Sequence, residues 1–387
     1  MLTQQVIKKL SEKEPIEISR LREKSFNEFS KLNLPDLKYG LGIYAAFPES
    51  SLENINPLKN SELLIDAPKP VEVLTFTQAL SKYPEVIKEH LKKIINQDKL
   101  EAMHNAFFSH AVFIRIPKNT HLESPINIIL NGEKTQMHSL IINSEENTNA
   151  TIVEHITSGS LFKSQNTNIL VKEGAKLKYI TIQNSPSEVS LLTRNAVVES
   201  KGRLLWIDCF LDSSFLKAST STILAGEEAE TENFSIVFAD EEETNTIETN
   251  VIHKASKTKS NTLARAVLNN KAKSIFQGLI RIEKNSSGCN GYQKSEAIVL
   301  SEDAQANTIP KLEIENNDVR CTHGATISQI PEEQLFYLKS RGVPDNDAIS
   351  LIMEGFFFPV LSQADDSLSQ EILQAVSEKL KRKNEAQ

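Results

Sequence analysis

The spacing of apolar residues changes twice along this 387-residue chain, and those two changes limit what it can fold into. From about Phe107 to about Ile314 apolar side chains recur at every second position, as in VFIRI (112 to 116), INIIL (126 to 130), TIVEH (151 to 155), NILVK (168 to 172), KYITI (178 to 182), RLLWID (203 to 208), FSIVF (234 to 238) and SIFQGLIRI (274 to 282). A period of two places alternate side chains on opposite faces of a strand. On either side the period is helical. Ile18, Leu21, Phe29 and Leu32 form a stripe with Ser25 in its gap, and Pro35 stops the helix after Leu34. After a Pro-containing connector from Ala67 to Val71, residues Leu80, Val86, Ile87, Leu91 and Ile94 make a second stripe, predicting a helix over Thr77 to Ile95.

No clear helical stretch of about 10 to 15 residues interrupts the strands, which disfavours a doubly wound α/β sheet. Turn residues such as NG, EG and KG separate them. Many short strands with β-branched residues leave sandwich, barrel and stacked parallel solenoid open. The organisation read from the pattern is a mostly helical region over 1–106, a β core over 107–317 and a helical region over 318–387.

At the junction of core and C-terminal helices, Arg320 to Thr322 continue the alternation, so Cys321 and His323 share a face. A soft sulfur beside an imidazole suits a thiophilic metal or an iron-sulfur fragment. Two ligands cannot complete a tetrahedral site, so the pair implies a partner. Arg320 stands ready to favour the thiolate, and Gly324 leaves room for a second chain. The plainer reading is a small cysteine and a hydrogen-bonded histidine that close the last strand. Beyond them Pro331, Glu332 and Glu333 suit a helix start and Gly342 its end. Asp345 is placed to cap a second helix with Ile349, Ile352 and Phe356 on one stripe, and a third runs from about Leu368 to Leu380.

A net charge of −8 argues against a nucleic-acid or anionic-membrane surface. Three cysteines, Cys209, Cys289 and Cys321, make no disulfide framework, the N-terminal MLTQQVIKKLSEKE carries no secretory pattern, and no run of about 18 apolar residues appears. A reducing cytoplasm and no membrane span are the expectations. Cys209 reads as a buried small hydrophobe, whereas Cys289, in SSGCNGY, reads as an exposed turn thiol. His104, His110, His155 and His253 read as structural. Asp240 to Glu243 and the basic group Lys379, Lys381, Arg382 and Lys383 both read as solvated. Phosphate-binding, dinucleotide and nucleophile-elbow motifs are absent, so catalysis by this chain alone is not expected.

The stretch RCTHGATISQIPEEQLFYLKSRG (320 to 342) resembles the C-terminal signature of the SufB/SufD family of iron-sulfur cluster scaffold subunits, through C-x-H-G-A-T and L-F-Y-L-x-S-R-G. Upstream, the resemblance extends through Phe276, Gln277, Gly278, Gln293, Leu312, Glu313 and Ile314, and the residue Gly324 and the length favour the SufD branch. It implies a right-handed parallel β-helix flanked by helices, a non-catalytic subunit that pairs with a SufB-like chain, and a SufC-like ATPase bound by the C-terminal helices. It further implies that Cys321 and His323 hold iron or a cluster transiently at the partner interface, that the isolated chain holds no stable cofactor, and that Phe336, Tyr337, Ile349 and Phe356 dock the ATPase. A homodimer of the isolated chain is left open. The competing reading is a cytoplasmic β-helix enzyme acting on carbohydrate.

Overall fold

The computed structural model describes residues 2–40, 42–53, 55–58, 62–94, 96–131, 134–157 and 159–382. Among the described residues five α-helices precede the β core: α1 (Gln4–Ser11), α2 (Ile16–Phe29), α3 (Phe76–Lys82), α4 (Pro84–Lys93) and α5 (Lys99–Phe107). Helix α2 buries Ile18 and Leu21 as expected. It ends at Phe29, short of Leu32. The single helix expected over Thr77 to Ile95 is two, because Pro84 has no N–H to continue α3 and instead starts α4; Ile95 lies outside the described residues. Helix α5, which sequence periodicity missed, is fixed by Asp98, whose carboxylate accepts from the backbone N–H of Leu100 and Glu101 at 2.8 and 2.9 Å. Strands Glu62–Asp66 and Glu72–Thr75 also form inside this expected helical region.

From His110 onward the chain winds as a parallel β-helix of about eight turns, its strands alternating between two nine-stranded sheets. The first sheet stacks Ile126–Asn131, Asn149–Ile156, Lys176–Gln183, Arg203–Phe210, Glu230–Ala239, Lys259–Leu268, Cys289–Val299 and Val319–Gln329; the second ends with Thr244–His253, Lys273–Ile282 and Gln305–Ile314. All these neighbours pair in parallel. The short strands Glu62–Asp66 and Glu72–Thr75 close the opposite end of each sheet by antiparallel pairing.

Every coil before the last turns one corner through a residue in the left-handed region: Asn119, Asn147, Gly174, Lys201, Glu228, Lys257 and Gly288. They recur at roughly 27 to 31 residues. The backbone N–H of each donates to a carbonyl one coil further on, for example Asn147 to Glu173 at 3.0 Å and Gly288 to Asp318 at 2.7 Å. The corner thus carries a hydrogen-bond ladder of its own, which offsets the roughly 1–2 kcal/mol that left-handed backbone costs a non-glycine residue.

The interior is apolar toward one corner, where Ile152, Tyr179 and Trp206 stack in register, and polar beyond it. There Arg194 donates to Asp208 and Thr181, and Glu154 accepts from Gln165, all buried. Helices α2 and α5 cover the outer face of the second sheet, and the C-terminal helices cover that of the first. Among the described residues no helix is long and apolar enough to cross a membrane.

Three histidines are buried and held neutral. Burial pushes His104 and His138 down to about 3 and His253 to about 4. His104 bonds Ser139 and Ser164, and His253 bonds Thr258 and Ser260, whereas neither ring nitrogen of His138 has a hydrogen-bond partner among the described residues. The folded pKa lies below the unfolded value near 6.5, so their contribution is complete above that pH and is lost as pH falls toward 3, by roughly 2 kcal/mol per group at pH 5. Urea unfolding between pH 8 and 4 checks this: stability should fall steeply below pH 6.5, and His138→Leu should flatten that fall with no loss at pH 8. An acid limb unchanged in the variant would contradict the assignment.

Candidate functional site

Strand Val319–Gln329 is the last member of the first sheet, lying parallel to Cys289–Val299 with Cys321 opposite Gly291 and His323 opposite Gln293. The alternation expected of Cys321 and His323 is therefore present: both stand on the inward face of the final coil. Cys321 is half-buried against Ile280, Cys289, Leu312 and Val319. His323, two residues on, is exposed, and no hydrogen bond or ion pair holds it among the described residues.

Burial, the single influence that acts on the Cys321 thiol, pushes it up to about 11. Arg320 alternates onto the other face and is exposed, so it does not supply the thiolate stabilisation expected of it. Gly324 does leave open space, with only the Lys294 Cγ, at 3.8 Å, within reach of an added Cβ. No group of three or more His, Cys, Asp or Glu side chains among the described residues could hold a metal. Cys321 and His323 alone offer one sulfur and one imidazole nitrogen, which is half of a tetrahedral iron site.

Among the described residues, no strand stacks on this end of the solenoid. Val319–Gln329 and Gln305–Ile314 terminate their sheets, with Ile327 47% and Ile314 43% exposed. Unpaired strand edges carrying apolar side chains are templates for a further chain.

The three C-terminal helices, α6 (Glu332–Ser340), α7 (Asp345–Leu361) and α8 (Asp366–Arg382), do not cap that end. Met353, Phe357, Val360 and Leu361 of α7 and Ile372, Ala375 and Val376 of α8 lie on Ile180, Ile207, Cys209 and Ile236 of the solenoid wall. This is where Cys209 is buried, as expected of a small hydrophobe. Of the four residues expected to dock an ATPase, Phe336 and Tyr337 are 74% and 57% exposed. Ile349 and Phe356 instead pack partly against the wall. The Arg265 guanidinium lies 4.8 Å from the Phe356 ring, donates to the Phe356 carbonyl and pairs with Glu296 at 2.6 Å. Leu351 and Phe358, which the sequence did not single out, join the exposed set at 48% and 65%. A groove of about 900 Å³ runs between α6, α7 and the last strands of the first sheet.

Several smaller expectations are corrected. Gly342 ends α6 with φ +85° as foreseen, but Pro344, not Asp345, occupies the cap of α7. Asp345 pairs with Lys339 at 2.8 Å. Cys289 is not an exposed turn thiol: it begins a strand, points inward and lies 3.1 Å from Thr258 Oγ1. Asp240 is buried and Glu243 pairs with Lys379 at 2.7 Å, so the two ends of the acidic turn and Lys379 are not solvated, whereas Glu241 and Glu242 between them are exposed as expected. Burial raises Glu243 to about 7. Lys383 and the side chains of Lys381 and Arg382 lie outside what the structure describes.

Two family models match the chain: the SufBD core domain of the SUF system for iron-sulfur cluster assembly over residues 127–356, and the SufBD N-terminal region over 55–128. The core match covers the solenoid from its early coils through α6 and most of α7. Among curated relatives, the iron-sulfur cluster assembly SufBD family proteins of Staphylococcus epidermidis and Staphylococcus aureus are each 29% identical over 343 residues, which spans 86% of this chain and 72% of theirs. With its parallel β-helix, its terminal Cys-x-His strand and these matches, the chain belongs to the SufBD family of iron-sulfur cluster assembly proteins.

Proposed function

We propose that this chain is the SufD-like, non-catalytic subunit of a SUF scaffold, pairing with a SufB-like chain through the bare end of its solenoid and binding a SufC-like ATPase on α6 and α7. The observation that carries the reading is the position of Cys321 and His323, side by side on the inward face of the final coil, on which no further coil is stacked among the described residues. A second chain seated against Val319–Gln329 would bring its own donors to within reach of the Cys321 sulfur and the His323 ring, completing a site that neither chain completes alone. Iron or a cluster is the cargo here, held in transit. The half-buried thiol stays protonated at neutral pH, so capture exchanges its proton for the metal ion, and the imidazole supplies the second donor. The carbohydrate-active alternative has no comparable support, since the family matches run through most of the chain.

The ATPase contact is proposed for Phe336 and Tyr337, with Leu351 and Phe358 beside them; Ile349 and Phe356 support the same surface from beneath by holding α7 on the wall. Tight coupling of ATP hydrolysis to cluster assembly would then pass through helices that rest directly on the solenoid.

Cys321→Ser and His323→Ala are expected to lower the iron and sulfide content of the co-purified complex at least fivefold while leaving its assembly and the melting temperature of the subunit within a few degrees of wild type. Full loading of the double variant would exclude the assignment. In pull-downs with the ATPase, Phe336→Asp or Tyr337→Asp should weaken association by about 30-fold, the equivalent of roughly 2 kcal/mol for an interface hot spot, with the β-helix intact by circular dichroism. Unchanged affinity in both, and in Phe358→Asp, would move the dock to another face.

A further inference from the structure

The final coil stands on a side chain that reaches across the solenoid. Gln293 is the in-register neighbour of His323 on the preceding strand of the first sheet, about 4.8 Å away along the stacking direction, and it is 2% exposed. Its Nε2 donates to the carbonyl of Lys311, 3.3 Å away on the last strand of the second sheet. Gln293 thus ties the two walls together one rung beneath the imidazole. The crossing is made possible by Gly278. A Cβ added there would sit 2.3 Å from Gln293 Oε1, closer than such atoms can approach, and a tight 3.2 Å from both its Cδ and Phe276 Cε1. A second gap lies under the sulfur: a Cβ on Gly291, the register partner of Cys321, would come within 3.1 Å of its Sγ and 3.0 Å of Ile280 Cγ2.

Resting on the reading of Cys321 and His323 as ligands, we infer that Gln293 is a positioning residue for His323 and that Gly278 lacks a side chain so that the Gln293 amide can lie in that place. His323 has no hydrogen-bond partner of its own among the described residues, so the floor beneath it is what limits the orientations of its ring. Rotamers that would swing the imidazole inward are blocked by the amide; those that present a ring nitrogen toward the open end, beside the Cys321 sulfur, are left. Without the amide the ring gains inward orientations that hold no metal, and the cost shows as affinity.

The test uses the co-purified complex with the SufB-like partner, stripped of iron and titrated with Co2+, whose ligand-field bands report geometry and whose charge-transfer band reports thiolate ligation. Gln293→Met keeps the length of the side chain and removes the amide, and Gly278→Ala displaces it. Both are expected to weaken Co2+ binding five- to tenfold and to shift the ligand-field bands toward those of His323→Ala, while the Cys321 charge-transfer band persists and the melting temperature of Gln293→Met changes by no more than a few degrees. Wild-type bands and affinity in Gln293→Met, alongside altered bands in His323→Ala, would overturn the positioning role and leave the ligand assignment standing. Unaltered bands in His323→Ala itself would remove the ligand assignment and the positioning role together.

Discussion

In-register stacking of parallel strands is the constraint on which the rest of the molecule depends. One coil cannot bury its inward face; only the coil above and the coil below can complete the cover. The stacking places like positions over one another, so Tyr179 meets Trp206 and Thr181 meets Asp208. A slip of one residue would turn the buried Arg194 and Asp208 pair outward and drive Cys209 and Ile207 inward. Because an unpaired buried charge costs several kcal/mol, the polar interior penalises wrong registers more than an all-apolar one would. The same stacking carries Gln293 and His323 to one place on successive coils.

The two ends of the solenoid are treated differently. At the start, Glu62–Asp66 and Glu72–Thr75 run antiparallel to the first coil and end both sheets. At the other end the chain leaves Gln329, forms α6, and then folds back so that α7 and α8 lie along the outer wall, fastened by Met353, Phe357 and Val360 and by the Lys379–Glu243 pair. The helices therefore stabilise the middle coils and leave the last one exposed. An edge of this kind is a liability in a chain that works alone and a docking surface in one that does not.

Much of this was legible in sequence because the features are local. A period of two is visible wherever apolar and polar residues alternate, and it placed Cys321 and His323 on a common face without any knowledge of the fold. What escaped was whatever depends on the third dimension. Strands such as Phe215–Leu224, with the sequence FLKASTSTIL, carry Ser and Thr on both faces and show weak alternation, although stacking buries half of them. The corner repeat was hidden because left-handed backbone falls on Asn, Gly, Lys and Glu in turn, stabilised by the ladder rather than by residue type. Lys379 looked solvated in a basic helix end, yet the wall beneath α8 supplies the Leu211 and Phe238 carbonyls and the Glu243 carboxylate. Gln293 was visible as a motif residue, but its reach to Lys311 needs the opposite wall.

We propose that His323 of this chain binds iron that the partner subunit also binds. Hyperfine coupling measures it directly. This chain, grown with 15N-histidine, is to be combined with unlabelled partner and ATPase, loaded with iron and sulfide, reduced, and examined by pulsed electron paramagnetic resonance. A 15N coupling of directly bound strength that vanishes in His323→Ala is the expected result; a loaded, paramagnetic complex showing no such coupling would exclude His323 as an iron ligand.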